Sequence, residues 1–453
     1  MGNKKRRTFL ASCFLPLKGD TKAFWSRINR YLKRQNIDLV LLTSDYADCD
    51  FLTINIPFFL EGYRTLSHQK STLAETQLPK YILNIASRDF LWNQDQNASY
   101  GKTLSGFFAC NELLSSIIHK TKPAMMLIWG SSLPQSVIMK NIADLNGIPS
   151  YVIERGLLPD TLMLESKGHG GHSDLNNQFI LHNYPWSEIK PDKYSKIKQF
   201  YLNHNKPKYD QNKRLKPTEL THKLQVKTEN ILTFFGDYDI AAGHHPRYES
   251  TSIINSPIYK STDHALQNLN RVVENRDDLT LLFKPHPNDH RDYDKYEDKK
   301  VKILRNINIH DLMNISDIIG VLTSTVQFEA LFYEKPILLM ANSQLINKGI
   351  AYECRNSDDL ANQLELALQK VDFTEKTTHA KKFISFLMDS FLVRINDNIP
   401  GRIGLKEFTD FLEDRALPAN SINLIYNTKI NALDSSNFNP ILEPKVYEES
   451  FGK

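Results

Sequence analysis

The sequence predicts an α/β protein built from two doubly wound halves. Three observations carry that reading. Short apolar runs alternate with longer amphipathic segments along most of the chain, the rhythm of strand–helix–strand units feeding a parallel sheet. A length of 453 residues suits two or three domains at about 150 residues each. A polar, Lys-rich stretch at 185–227, with Pro191, Pro207 and Pro217, interrupts the rhythm near the middle and reads as a linker or inter-domain excursion.

In the first half, 8–15, 37–42, 124–129 and 150–153 are apolar enough to be buried strands. The segments 21–35 and 104–119 carry the helical pattern between them. The start resembles a signal peptide only superficially, because Pro16, Lys18 and Asp20 cut its apolar part short. The basic cluster Lys4 to Arg7 reads either as a solvated tail or as a weak anchor to anionic lipid. In the second half, strands are expected at 231–235, 279–283, 302–304, 317–322 and 336–340, with helices at 262–274, 309–315 and 327–333. The domains are therefore 1–227, including the polar linker, and 228–415. A tail at 416–453, rich in Asn, Ser and Pro, follows.

Composition narrows the function. At 41% hydrophobic and 24% charged the chain is an ordinary globular protein rather than a disordered, collagenous or disulfide-scaffolded one. Lys plus Arg is 56 against 52 for Asp plus Glu, a net charge of +4, which argues against nucleic-acid binding by bulk charge. Cys13, Cys49, Cys110 and Cys354 lie far apart with no metal-type spacing and read as buried thiols of a cytoplasmic protein. No apolar stretch is long enough to span a bilayer.

Four segments place chemistry at strand ends, where open α/β sheets bind ligands. The strand at 279–283 runs into Lys284-Pro285-His286-Pro287. The prolines restrain the backbone around a cation and an imidazole suited to phosphate or carboxylate; a proline turn with a satisfied histidine is the plainer alternative. The strand at 317–322 runs into Thr323, Ser324 and Thr325 ahead of a helix bearing Glu329. Those hydroxyls suit a phosphate site or ordinary N-capping, and Glu329 either ribose hydroxyls or solvent. The strand at 231–235 ends in Gly236, Asp237 and Asp239, candidate nucleophiles or bases or turn-capping residues. Glu154 follows the strand at 150–153, and a glycine-rich loop at 168–173 follows later. Its His169 and His172 match a metal pair only weakly.

In this order the motifs resemble the capsule-polysaccharide-biosynthesis type glycosyltransferases, particularly bacterial β-Kdo transferases. The likeness covers about 125–345: Glu154 to Gly156, Gly236 to Asp239, Lys284 to Pro287, and Ser324 through Glu329 to Lys335-Pro336. It implies a GT-B fold of two facing Rossmann-like domains with the active site in the cleft between them. His286, Ser324 and Thr325 would bind the CMP phosphate of a CMP-Kdo donor, with Lys284 and Glu329 beside them. Asp239 would attack the anomeric carbon and Glu154 would act as acid/base toward the acceptor hydroxyl. The family's Gly-Gln-x-Asp/Glu-Asp pattern is replaced here by Gly236-Asp237-Tyr238-Asp239, which leaves Asp237 as an alternative nucleophile. A carboxylate nucleophile gives retention; a base gives inversion. The resemblance implies no cofactor and no metal, a saccharide or lipid-linked acceptor, and room for peripheral contact with the inner face of the cytoplasmic membrane. Rival readings are a CMP-sialic-acid or polysialyl transferase, a glycerophosphotransferase, and a non-catalytic polysaccharide-assembly subunit.

Overall fold

The computed structural model describes residues 6–46, 48–57, 62–63, 65, 79–92, 99–176, 186–204, 213–239, 242–244 and 254–415. The tail at 416–453, Lys4 and Lys5, and part of the 185–227 stretch lie outside them. The first half comprises β1 (Arg7–Cys13), α1 (Gly19–Arg34), β2 (Ile37–Thr43), β3 (Leu52–Asn55), α2 (Lys80–Trp92), α3 (Tyr100–Thr121), β4 (Met125–Trp129), α4 (Pro134–Leu145), β5 (Ser150–Arg155) and β6 (Thr161–Glu165). Two helices, α5 (Tyr194–His204) and α6 (Pro217–Leu224), lead onward. The second half holds β7 (Asn230–Phe235), α7 (Thr262–Glu274), β8 (Leu279–Lys284), β9 (Val301–Ile303), α8 (Ile309–Ile315), β10 (Ile318–Val321), α9 (Val326–Ala330), β11 (Ile337–Leu339), β12 (Tyr352–Glu353), α10 (Asp359–Leu368) and α11 (Phe373–Phe386). The described chain closes with β13 (Val393–Arg394) and α12 (Leu405–Arg415).

The sheet orders are β3-β2-β1-β4-β5-β6-β13 and β9-β8-β7-β10-β11-β12. Each half therefore repeats the doubly wound 3-2-1-4-5-6 order, whose direction of winding reverses beside its first strand. The reversal lies between β1 and β4 in one sheet and between β7 and β10 in the other. The second sheet is parallel throughout. Its strands are covered on both faces, which is why β8 and β10 are buried along their whole length and read as unbroken apolar runs. This is the α/β layout of two doubly wound halves that the sequence predicts.

Three features depart from the sequence reading. β6 runs antiparallel to β5, and β13 antiparallel to β6. The segment beyond β13 does not stay with the second half: α12 returns to the first sheet, where Arg7 Nη2 meets Glu413 Oε1 at 3.0 Å and Phe408 and Leu412 join the first core. The described part of 185–227 is packed rather than a bare linker. Trp186 meets Phe383 edge-on at 5.4 Å, and Tyr201 stacks on Phe332 at 5.4 Å.

Candidate functional site

The ends of β7, β8 and β10 converge on one cleft of about 510 Å³, open to solvent. Lys284, His286, Ser324, Thr325 and Glu329 all line it, together with Gly236 from the end of β7. The parallel register explains the convergence, since Phe235 lies opposite Lys284 and Val321 opposite Phe235. Loops leaving adjacent parallel strands must share one edge of the sheet.

Lys284 is buried and donates from Nζ to the Arg305 carbonyl at 2.9 Å. Burial brings its pKa down to about 8, with no carboxylate among the described residues offsetting it. It is a cation short of a counter-ion. His286 Nδ1 accepts the Asn288 N–H at 3.1 Å, so a neutral ring carries its proton on Nε2 and presents a donor. Tyr238 stacks on the imidazole at 5.9 Å. Thr325 is the N-cap of α9, yet its side chain makes no cap hydrogen bond. Simple capping therefore does not account for the Thr325 hydroxyl. Glu329 is buried, with Oε2 at 3.8 Å from His310 Nε2. Burial lowers the His310 pKa to about 4, so that approach is between a neutral ring and a carboxylate rather than an ion pair. Glu329 also borders a smaller hollow with His310, Tyr333 and Pro159.

The two aspartates after β7 have different surroundings. Asp239, the first choice for the nucleophile, has both oxygens engaged. Thr262 N–H donates to Oδ1 and Oδ2 at 3.0 and 3.1 Å, Thr262 Oγ1 donates to Oδ1 at 2.8 Å, and Arg291 Nη1 pairs with Oδ2 at 2.8 Å. Arg291 is itself shared with Asp289. Asp239 is thus built as an anchor between its loop and α7. Asp237 is also buried, but only one of its oxygens is held. Oδ2 accepts from the Thr323 N–H at 2.8 Å and the Thr323 hydroxyl at 2.7 Å, and lies 2.7 Å from His244 Nε2. Oδ1 has no hydrogen-bond partner. Burial alone would raise the Asp237 pKa, but the His244 and Thr323 hydrogen bonds outweigh it and bring it below the usual carboxylate value. Asp237 is the ionised carboxylate with one buried, unpartnered oxygen.

Glu154 belongs to the other half, as the penultimate residue of β5 and paired in register with Met163. The strand runs two residues further than the sequence suggests. Glu154 Oε1 accepts the Arg155 N–H at 3.0 Å, and Oε2 lies beside Gly130. A Cβ at Gly130 would sit 3.2 Å from it, and φ there is +71°, so glycine serves both the turn and the close approach. The next residue, Ser131, bonds His169 Nδ1 at 2.8 Å. The glycine-rich loop then reaches the second half, where Gly171 N–H donates to Asn255 Oδ1 at 2.8 Å and Asn255 Nδ2 donates to the Ala242 carbonyl at 2.9 Å. A continuous line of contacts thus runs from Glu154 to the segment that carries His244. Beneath the loop, Glu165 accepts from Ser173 Oγ at 2.6 Å and from the Asp174 N–H at 2.7 Å. Burial pushes both the Glu165 and Asp174 carboxyls up.

Sequence reasoning passed over His244, Thr262, Arg291 and Arg305, and read Thr323 as a phosphate or capping hydroxyl, whereas it bonds Asp237. His244 and Arg291 lie close to motifs already singled out, so inspecting flanking titratable residues would have flagged them; Thr262 carries only the signal of a helix start. Among the described residues, no group of three or more His, Cys, Asp or Glu could hold a metal ion, and no helix is long and apolar enough to cross a membrane.

No protein-family model and no curated protein matches the chain. Among solved structures it is similar to the β-Kdo 2,7 transferase KpsC of Thermosulfurimonas dismutans, at TM-score 0.40 and 15% identity, over 74% of this chain and 97% of that one. It is similar to the UDP-bound MnaA of S. aureus, at TM-score 0.37 and 11% identity, over 90% and 95%. A glycosyltransferase of Rickettsia africae matches at TM-score 0.37 and 13% identity, over 84% and 93%.

Proposed function

We propose that the chain is a glycosyltransferase that moves Kdo from CMP-Kdo to a saccharide or lipid-linked acceptor in bacterial capsule or lipopolysaccharide synthesis. The observation that supports it is the juxtaposition, at one sheet edge, of a phosphate-suited cleft and an ionised carboxylate. Lys284 and the His286 Nε2–H line that cleft with the Ser324 and Thr325 hydroxyls, and they balance the charge that grows on the departing phosphate. Glu329 accepts hydrogen bonds from the ribose hydroxyls.

In the first step Asp237 Oδ1 forms a bond to the anomeric carbon of Kdo. The bond from that carbon to the phosphate oxygen breaks, and CMP leaves with the electron pair. In the second step the acceptor hydroxyl attacks the same carbon as Glu154 takes its proton, and the Asp237 carboxylate is released. Two displacements retain configuration. The acceptor approaches from the first half, and a peripheral stay at the inner face of the cytoplasmic membrane suits a lipid-linked one.

The test is a donor screen on the purified full chain with CMP-Kdo, CMP-sialic acid and CDP-glycerol. Acceptor-dependent CMP release with CMP-Kdo supports the reading. Release only with CMP-sialic acid or CDP-glycerol replaces the donor, and no release with any of the three points to a non-catalytic assembly subunit. Intact-mass spectrometry after incubation with CMP-Kdo should find a Kdo-sized adduct that Asp237→Ala abolishes and Asp239→Asn leaves in place.

A further inference from the structure

His244 is fully buried and plays no part in the scheme above. Its Nε2 lies 2.7 Å from Asp237 Oδ2 and 3.2 Å from Thr323 Oγ1. An ionised carboxylate only accepts hydrogen bonds, so Nε2 must carry a proton. The other nitrogen, Nδ1, is buried with no hydrogen-bond partner. The backbone holds this ring rigidly, because the His244 N–H donates to the Asp239 carbonyl at 2.8 Å. Asp239 is in turn pinned by Thr262 and Arg291. Both aspartates thus belong to one device: Asp239 anchors the loop, the loop carries His244, and His244 holds Asp237.

We infer that His244 is a positioning residue, which together with Thr323 gathers every hydrogen bond of the Asp237 carboxylate onto Oδ2 and so keeps Oδ1, buried and without a partner, as the oxygen reserved for the donor sugar. This inference rests on Asp237 being the reacting carboxylate. Without His244 the carboxylate loses one of three donors and is free to rotate about χ2, exchanging its two oxygens. Misplacement of a reacting atom by about 1 Å lowers rate by about 10²-fold. Among the described residues, the titratable and charged groups around Asp237 are His244 on its own loop, Lys284 at the end of the neighbouring β8, and the Asp239–Arg291 pair. From β10 and α7 it meets only the uncharged Thr323 and Thr262.

The experiment compares His244→Leu, which removes the donor, with His244→Gln, which offers an amide N–H. CMP release from CMP-Kdo by the full chain is followed across pH, and thermal melting confirms folding of each variant. His244→Leu should lower kcat by about 10²-fold with the donor KM changed less than about threefold. The acid limb of its kcat profile should move to higher pH by about one unit, because losing that hydrogen bond raises the carboxyl's pKa. His244→Gln should recover most of both effects. Equal loss in the two variants, or an unmoved acid limb, overturns the inference.

Asp237→Asn separates the two levels of the argument. Full activity in Asp237→Asn sinks the carboxylate reading itself. An inactive Asp237→Asn beside a His244→Leu enzyme of normal kcat sinks only the positioning role. ¹⁵N NMR of the histidine-labelled full chain tests the geometry without turnover, the His244 signal being the one missing in His244→Gln. A ring with a proton on Nε2, with that preference lost in Asp237→Asn, supports the device; a ring protonated on Nδ1 alone refutes it.

Discussion

Two aspartates two residues apart at the end of β7 show how a carboxylate's partners decide its chemistry. Asp239 faces a guanidinium and a helix start, so it is a structural anchor. Arg291→Ala would leave Asp239 and Asp289 buried without their shared cation. The expected cost is roughly 2–3 kcal/mol, below the usual range for a buried pair because the guanidinium is 36% exposed. Urea unfolding followed by circular dichroism measures it. Lys284 gives the other residue-level expectation. Its pKa, lowered by burial to about 8, means it is charged below that pH and loses its proton above it. Donor affinity should therefore be full near pH 7 and fall as pH rises through about 8. Replacing it with methionine should raise the donor Kd by about 10- to 100-fold, the worth of a charged hydrogen bond, and remove that pH dependence. Titration with CMP across pH 6 to 10 checks both.

At the scale of elements, strand ends do the positioning and small residues make the room. Gly130 after β4 lies in the left-handed region, with Glu154 Oε2 in the space a Cβ would crowd. Gly130→Ala should cost about 1–2 kcal/mol from backbone strain and lower kcat through the displaced carboxylate, with donor binding unchanged. A CMP titration beside turnover kinetics separates the two effects. The last helix, α12, belongs energetically to the sheet at the other end of the chain. Phe408 is 1% exposed within the first core, and Phe408→Ala should destabilise by about 3–5 kcal/mol. A separate, earlier melting transition in Phe408→Ala would show that the first half alone bears the cost.

For the molecule as a whole, the two halves meet through a few directed hydrogen bonds as well as apolar packing. Asn176 Nδ2 reaches the Ser343 carbonyl at 3.1 Å, and Lys348 Nζ reaches Asn176 Oδ1 at 3.2 Å. Asn255 ties the glycine-rich loop to the segment carrying His244. Asn255→Ala leaves the half-buried Gly171 N–H and the Ala242 carbonyl without this partner, a loss of about 1–2 kcal/mol. Hydrogen exchange should quicken in peptides covering 168–176 and 242–244 while those of β7 and β8 keep their protection. Uniform protection throughout would mean that the loop needs no such tie.

The sequence by itself determined the central strands and the cleft they frame, but not β3, β6, β12 or β13 at the sheet edges. Strands such as β8 and β10 must be apolar along their whole length because parallel sheets are covered on both faces, and that makes them legible without any partner. Chemistry placed after them, at Lys284, His286, Ser324, Thr325 and Glu329, follows the strand ends into one cleft. Tertiary structure alone decided which aspartate keeps a bare oxygen, that His244 holds it, and that β13 and α12 return to the first sheet. Those outcomes depend on residues distant in sequence arriving at one point, such as Arg291 at Asp239 and Thr323 at Asp237. Periodicity records which face of an element is buried; it does not record what that face will meet.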